Sequence, residues 1–394
     1  MNCSSAYGAP QLIHCVKCVK AIRPRRAAFV LAEFVIESDQ RKGEGSLYIY
    51  LGAYAQSGEP GVRKYSFDPR TGSFTLAAEY DRLANPSWLL RHPRKPVLYA
   101  VEELSPEGRI VALSDDGTGF RQLCSLPSGG ADPCHLSLSP DGRHLFAANY
   151  SSGSLAVFAL DENGVPAEMS DFVQHRMDAP GVNPARQERA HVHFSLCDGA
   201  HVYVCDLGMD AVFVYGWDSV QGKLIDNGER IRLPGGSGPR HLAFSADGRY
   251  LYVLCELRAE IHVFSRDAGG VWRNMQAVPT VPEDFGGFAG CSYSVGAAVR
   301  IVDGETLCAS NRGHDSLALF SIAADGKLYD RRILPSHGRT PRDVQAAGGC
   351  LIAANQDGGC LSVFSRDADT GEYMWTGSED AAGRPSCVCV APIG

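Results

Sequence analysis

Three turns of this chain place a basic or imidazole side chain just before an apolar run: Arg189-Ala190-His191-Val192-His193, Gly238-Pro239-Arg240-His241 and Thr340-Pro341-Arg342. A guanidinium holds a phosphate, a carboxylate or a developing oxyanion through its bidentate fork. A neutral imidazole can take a proton from water near pH 7. Brought together, His191, Arg240 and Arg342 would form a hydrolytic set. Any one of them alone would more naturally tie a loop to its neighbour, so the combination carries the chemistry. Related turns read Asn85-Pro86-Ser87, Asp132-Pro133-Cys134-His135 and Arg384-Pro385-Ser386.

A second group closes the apolar runs: Glu102, Asn149, Asp206, Asn311 and Asn355, with Cys255 in the corresponding place of another copy. Asn and Asp there are expected to close turns through side-chain to backbone bonds. Glu103 and Glu256, one residue further on, are better candidates for orienting an imidazole or a water, although pairing with Arg for structure alone would use them equally well. Arg312, in Ser310-Asn311-Arg312-Gly313-His314-Asp315, offers either another anion contact or a surface pair with Asp315. No Gly-x-Ser-x-Gly elbow, phosphate-binding P-loop or His-Glu-x-x-His motif occurs. Cys15 and Cys18 form a Cys-x-x-Cys pair beside His14, but no second pair follows at zinc spacing. No metal and no cofactor are expected.

Elements that could bring these turns together are visible as a repeat. Ser139-Pro140-Asp141-Gly142 leads into Leu145 to Asn149, then Leu155 to Phe158. Second strands begin similarly after Gly142, Gly199, Gly248, Gly304 and Gly349, at spacings of 57, 49, 56 and 45 residues. These are the dimensions of propeller blades. An earlier copy runs through Val97 to Val101, which makes six units. Leu47 to Tyr54 and Gly61 to Phe67 lack a preceding inner strand, whereas Ser386 to Val390 is an inner strand without successors. Joining the two ends in one blade gives an all-β, seven-bladed β-propeller without exposed ring edges. Residues 46–394 form this domain, and residues 1–45 are expected to lie outside it as an extension. In such a ring, equivalent residues of successive blades converge on the central axis.

Composition is consistent with this fold and narrows the function. The chain has 44% hydrophobic and 21% charged residues, and its 43 Gly and 22 Pro are spread throughout, as many short strands require. A net charge of -8 argues against a general nucleic-acid or acidic-membrane partner. No apolar run approaches bilayer length. The 14 cysteines are scattered, several within apolar strands, as buried free thiols in a reducing cytoplasm would be.

The chain resembles the lactonase, or bacterial 6-phosphogluconolactonase, family of seven-bladed propellers over roughly residues 46–394. The similarity rests on Tyr65 to Gly72 (YSFDPRTG), Ala147 to Phe158 (AANYSSGSLAVF), Gly238 to His241 (GPRH), Ser310 to Ser316 (SNRGHDS) and Ala353 to Gln356 (AANQ). It implies hydrolysis of 6-phospho-D-glucono-1,5-lactone to 6-phosphogluconate in the pentose phosphate pathway, with a small sugar-phosphate lactone as partner. The family also contains a fungal carboxymuconate cyclase, for which a His, an Arg and a Glu are proposed in the active site. Carried over, those roles fall on His191 or His193, Arg240 and Glu256, with Arg312 or Arg342 as an additional Arg. The resulting expectation is His191, Arg240 and Glu256 as catalytic residues and His193, Arg312, Arg342 and Glu103 as substrate-binding residues. Cys255 departs from the Asn usual in the family, and the His-x-His turn is about two residues shorter. A cyclase-type lyase and a propeller that only binds a protein are the competing expectations.

Overall fold

The computed structural model describes residues 47–117, 119–285, 295–381 and 383–392. The extension 1–45, with Cys15 and Cys18, lies outside the described residues. Seven antiparallel sheets follow one another along the chain, six of four strands and one of five. We number them as blades. The first combines Arg384–Pro392 as its inner strand with Leu47–Tyr54, Val62–Asp68 and Ser73–Tyr80. Blades two to seven begin at Leu89, Pro133, Val192, Pro239, Gly296 and Pro341. The termini thus close the ring as expected, with Leu47 opposite Pro392 and Leu51 opposite Val388.

Burial explains why the strands read so differently. Second strands such as His144–Asn149, Thr306–Asn311 and Cys350–Asn355 are buried along their whole length, because a neighbouring blade covers each face. They are therefore continuous apolar runs instead of alternating ones. Outer strands such as Ser73–Tyr80 and Pro166–Gln174 are mostly exposed and mix polar with apolar residues. The sequence repeat shows three strands per unit; the structure adds this fourth. In blade four it is split into Lys223–Ile225 and Arg230–Arg232, both paired with Ala211–Asp218.

Turn chemistry recurs with the strands. Asp141 accepts from the Ser139 hydroxyl at 2.6 Å, and Asp247 accepts from Ser245 at 2.7 Å. Gly142 and Gly248 follow with φ near 70°, a conformation that glycine adopts without steric cost. The residues closing the second strands latch blades together. Asn311 Nδ2 donates to Thr280 O at 2.9 Å, Asn149 Nδ2 donates to Ser128 O at 3.1 Å, and Asp206 pairs with His175 at 2.6 Å. Each partner sits on the segment arriving from the preceding blade.

The described cysteines are free thiols. Among the described residues no helix is long and apolar enough to cross a membrane.

Candidate active site

In six of the seven blades the inner strand carries a bulge near its start, the short Leu89–Arg91 strand of blade two being paired without one, and that bulge decides what faces the channel. In blade five Pro239 pairs with Cys255 and His241 with Leu254, so Arg240 is the extra residue. The same slip isolates Cys134 between Pro133 and His135, His193 between Val192 and Phe194, and Arg342 between Pro341 and Asp343. Ser386 is skipped in the closing blade. A bulged residue lies outside the ladder and is aimed independently of it. Cys134, His193, Arg240 and Arg342 all point into one shared electrostatic environment at one channel mouth.

This register corrects one expectation. His191 was aligned with Arg240 and Arg342, but His193 is their counterpart. The backbone N–H groups of Leu207, Glu256 and Gln356 donate to His191 O, Gly238 O and Thr340 O respectively. His191 therefore corresponds to Gly238 and Thr340, two residues before each bulge. Its ring stacks on Tyr150 at 4.4 Å, with Nδ1 3.1 Å from Tyr150 O and Nε2 3.1 Å from Glu188 Oε2. It is a wall residue engaged at both nitrogens. Val192 stands where the other turns have Pro, which hid the alignment.

Glu256 is the electrostatic centre. It is 2% exposed, and Arg186 Nη2 donates to its Oε1 at 2.6 Å. Arg312 Nη2 and Arg240 Nε lie 2.8 and 2.9 Å from Oε2, the latter as an ion pair out of line for a hydrogen bond. Burial opposes the Glu256 charge, but Arg312, Arg186 and Arg240 together hold its carboxyl well below the usual carboxylate range. Three guanidiniums on one carboxylate leave two positive charges in surplus. Burial and the adjacent Arg312 accordingly pull the Arg240 pKa down. Arg312 faces this cluster, whereas Asp315 accepts from the backbone of Gly313 and Thr340.

His193 lies under the arginines, its ring 5.4 Å from His241 and 5.6 Å from Tyr150. Its buried Nδ1 has no hydrogen-bond partner among the described residues. Burial, reinforced by Arg240, holds its pKa well below the ordinary histidine value, so the ring is neutral. The floor beneath is aromatic. Trp88, His135, Phe194 and His241 pack ring to ring, with Trp88 to His135 at 4.4 Å and His135 to Phe194 at 4.1 Å. Arg300 and Asp343 pair beside them at 3.3 Å.

Arg342 and Glu103 form a second branch. Arg342 Nη2 donates to the Tyr54 hydroxyl at 2.6 Å, and Tyr54 donates in turn to Glu103 Oε2 at 2.8 Å. Ser87 also donates to Glu103. This branch is internally neutralised, in contrast to the Glu256 cluster. Arg186, Tyr54 and Tyr150 were not among the sequence candidates. Tyr150 had a signal, because it follows Asn149 as Glu256 follows Cys255. Arg186 sits on an irregular connection with no counterpart in the repeat.

Residues 48–390 match the family described as lactonase, 7-bladed beta-propeller. The chain belongs to that family. It is 30% identical over 352 residues to the 6-phosphogluconolactonase of Bacillus subtilis, covering 86% of this chain and 97% of that protein. It is likewise 30% identical over 330 residues to a 6-phosphogluconolactonase of Formosa agariphila, covering 80% and 90%. Among solved structures, a periplasmic gluconolactonase of Pseudomonas aeruginosa superposes with a TM-score of 0.77 at 31% identity, covering 88% of this chain and 99% of that one. The lactonase propeller therefore supplies the frame for the cluster around Glu256.

Proposed function

We propose that this channel mouth hydrolyses a sugar lactone, with 6-phospho-D-glucono-1,5-lactone as substrate and 6-phosphogluconate as product, within the pentose phosphate pathway. The observation that carries this reading is the surplus of two positive charges around Glu256 beside a neutral, unpartnered His193. A dianionic phosphate complements the surplus, and a neutral imidazole complements an attacking water. Relatives named for the same reaction, similar over most of the chain, support it.

In the proposed reaction, water adds to the lactone carbonyl carbon while His193 Nδ1 takes its proton. The oxyanion that develops is held by Arg240, and the phosphate lies toward the uncompensated positive charge around Glu256. The tetrahedral intermediate collapses with cleavage of the ring C–O bond. The proton on His193 passes to the departing ring oxygen, and the hydroxy acid is released. Glu256, ionised and held by three arginines, orients Arg240 and Arg312 and favours the transient imidazolium. It is a positioning carboxylate and not a proton shuttle.

The deciding measurement is a background-corrected hydrolysis rate for 6-phosphogluconolactone, gluconolactone and carboxymuconate. The expected outcome is a specificity constant for the phosphorylated lactone far above the other two. Turnover of carboxymuconate alone would replace hydrolysis by the cyclase reaction. Turnover of none would leave only a binding propeller. The periplasmic gluconolactonase makes the unphosphorylated lactone a necessary arm of the experiment.

A further inference from the structure

We infer that Arg186 is the residue that selects a phosphorylated lactone over a plain one, by exchanging Glu256 for the substrate's phosphate. This inference rests on the lactonase reading above. The three arginines at Glu256 are not alike. Arg240 is anchored to the inner strand of blade six through Ala297 O and lies 3.0 Å from His241, with its side chain 3% exposed. Arg312 donates to Gly296 O at 3.0 Å and is 12% exposed. Arg186 is 28% exposed and comes from outside the sheets, on the connection between blades three and four. Its Nη2 also donates to the Tyr150 hydroxyl at 3.0 Å.

That connection is built to hold Arg186 over the mouth. Gln187, the next residue, is fully buried. Its Nε2 donates to Leu207 O at 2.9 Å, its Oε1 accepts from Asn183 N at 3.0 Å, and its carbonyl accepts from Gly181 N at 2.8 Å. The backbone beside Arg186 is thus pinned, while its side chain reaches across to blade five. If Arg186 turns from Glu256, Arg240 and Arg312 still neutralise that carboxylate through Oε2. Arg186 can therefore engage an incoming anion without leaving a buried charge unpaired. Removing it would lower the surplus at the mouth from two positive charges to one. A phosphate dianion would feel that loss fully, whereas an uncharged lactone has no charge to answer it.

The experiment compares Arg186→Gln and Arg186→Lys with the native chain on 6-phosphogluconolactone and gluconolactone, and titrates inorganic phosphate into each protein by calorimetry. The Gln variant is expected to raise KM for the phosphorylated lactone at least about tenfold, the scale of one charge-assisted contact. The effect on gluconolactone is expected to be several times smaller, and the Lys variant intermediate. Phosphate binding should weaken in parallel. Gln187→Ala, which frees the loop but keeps the guanidinium, should produce the same selective rise in KM. Equal losses on both lactones would overturn the inference and leave Arg186 as a brace for Glu256. Unchanged phosphate affinity in Arg186→Gln would overturn it too. If the native chain hydrolyses neither lactone, the lactonase reading fails; the phosphate titration then still decides whether Arg186 binds the anion.

Discussion

Two buried carboxylates in this molecule each gather more than one cation, yet only one makes a site. Asp115 lies between blades one and two, with Lys64 Nζ at 2.7 Å, Arg91 Nε at 3.2 Å and the Tyr50 hydroxyl bonded to it. Its surplus charge is absorbed locally. Lys64 sits 3.8 Å above the Tyr48 ring, and Arg91 Nη1 donates to the carbonyls of His92, Lys95 and Val97. Around Glu256, by contrast, buried Nε atoms of Arg240 and Arg312 and Nδ1 of His193 lack hydrogen-bond partners among the described residues. Both carboxyls are held low, Glu256 against burial by its three arginines and Asp115 against burial by bonds from Lys64 and Tyr50. A buried ion cluster becomes a candidate site when some of its polar atoms are left without partners, and a clamp when backbone and ring faces consume them.

Substitutions test that contrast. Glu256→Ala should have the largest effect, leaving three arginines facing one another: a loss of about 3–5 kcal/mol in stability and about a thousandfold in kcat/KM. Denaturant melts and initial rates check both, and a near-native rate would remove Glu256 from the site. Asp115→Ala should lose comparable stability, about 3–5 kcal/mol, while kcat/KM of the folded protein stays within about threefold; a larger loss of rate would end the distinction between clamp and site. Arg240→Met and His193→Ala should each reduce turnover about a hundredfold and leave the β-sheet circular dichroism spectrum unchanged.

Acid should expose the site's buried imidazoles. Burial depresses the native pKa values of His135, His193 and His241, so the unfolded chain binds more protons than the native one below about pH 6.5. Their contribution is fully present above that pH. It is lost as pH falls, by about 1.4 kcal/mol per pH unit for each histidine. Urea melts between pH 7.5 and 5.5 should show this slope, reduced by one histidine's share in His241→Asn. His191→Ala should have the smallest effect on rate, under about tenfold, because its ring braces the wall. A loss as large as that of His193→Ala would return the proton-accepting role to it.

Most of the ring was legible in the sequence because its inner halves are written in strong signals. Asp141-Gly142 and Asp247-Gly248 turns introduce buried apolar strands, and Ser386 to Val390 is visibly an inner strand without a blade of its own. The outer strands were not legible, since solvent replaces a packing partner and their mixed composition carries no continuous apolar run. At the site, Arg240, Glu256 and Arg342 stood out by type and position. The register of His191 against His193 did not, because a bulge changes the direction of one side chain without altering composition. Arg186 and Tyr54 reach the mouth from a connection and from the end of a closing strand, contacts that tertiary structure alone creates.

The recurrent bulge also bears on how such a ring can change its chemistry. Because Cys134, His193, Arg240, Arg342 and Ser386 sit outside the ladder pairing, exchanging one of these side chains leaves the strand hydrogen bonds on either side as they were. The mouth behaves as a circle of independently addressable sockets on a rigid mount. A new substrate could be accommodated by refitting two or three sockets, with no strand re-registered and no blade rebuilt. Variation among related propellers should therefore concentrate at these positions while the paired residues flanking them are kept, and a library randomised only at the sockets should remain largely folded.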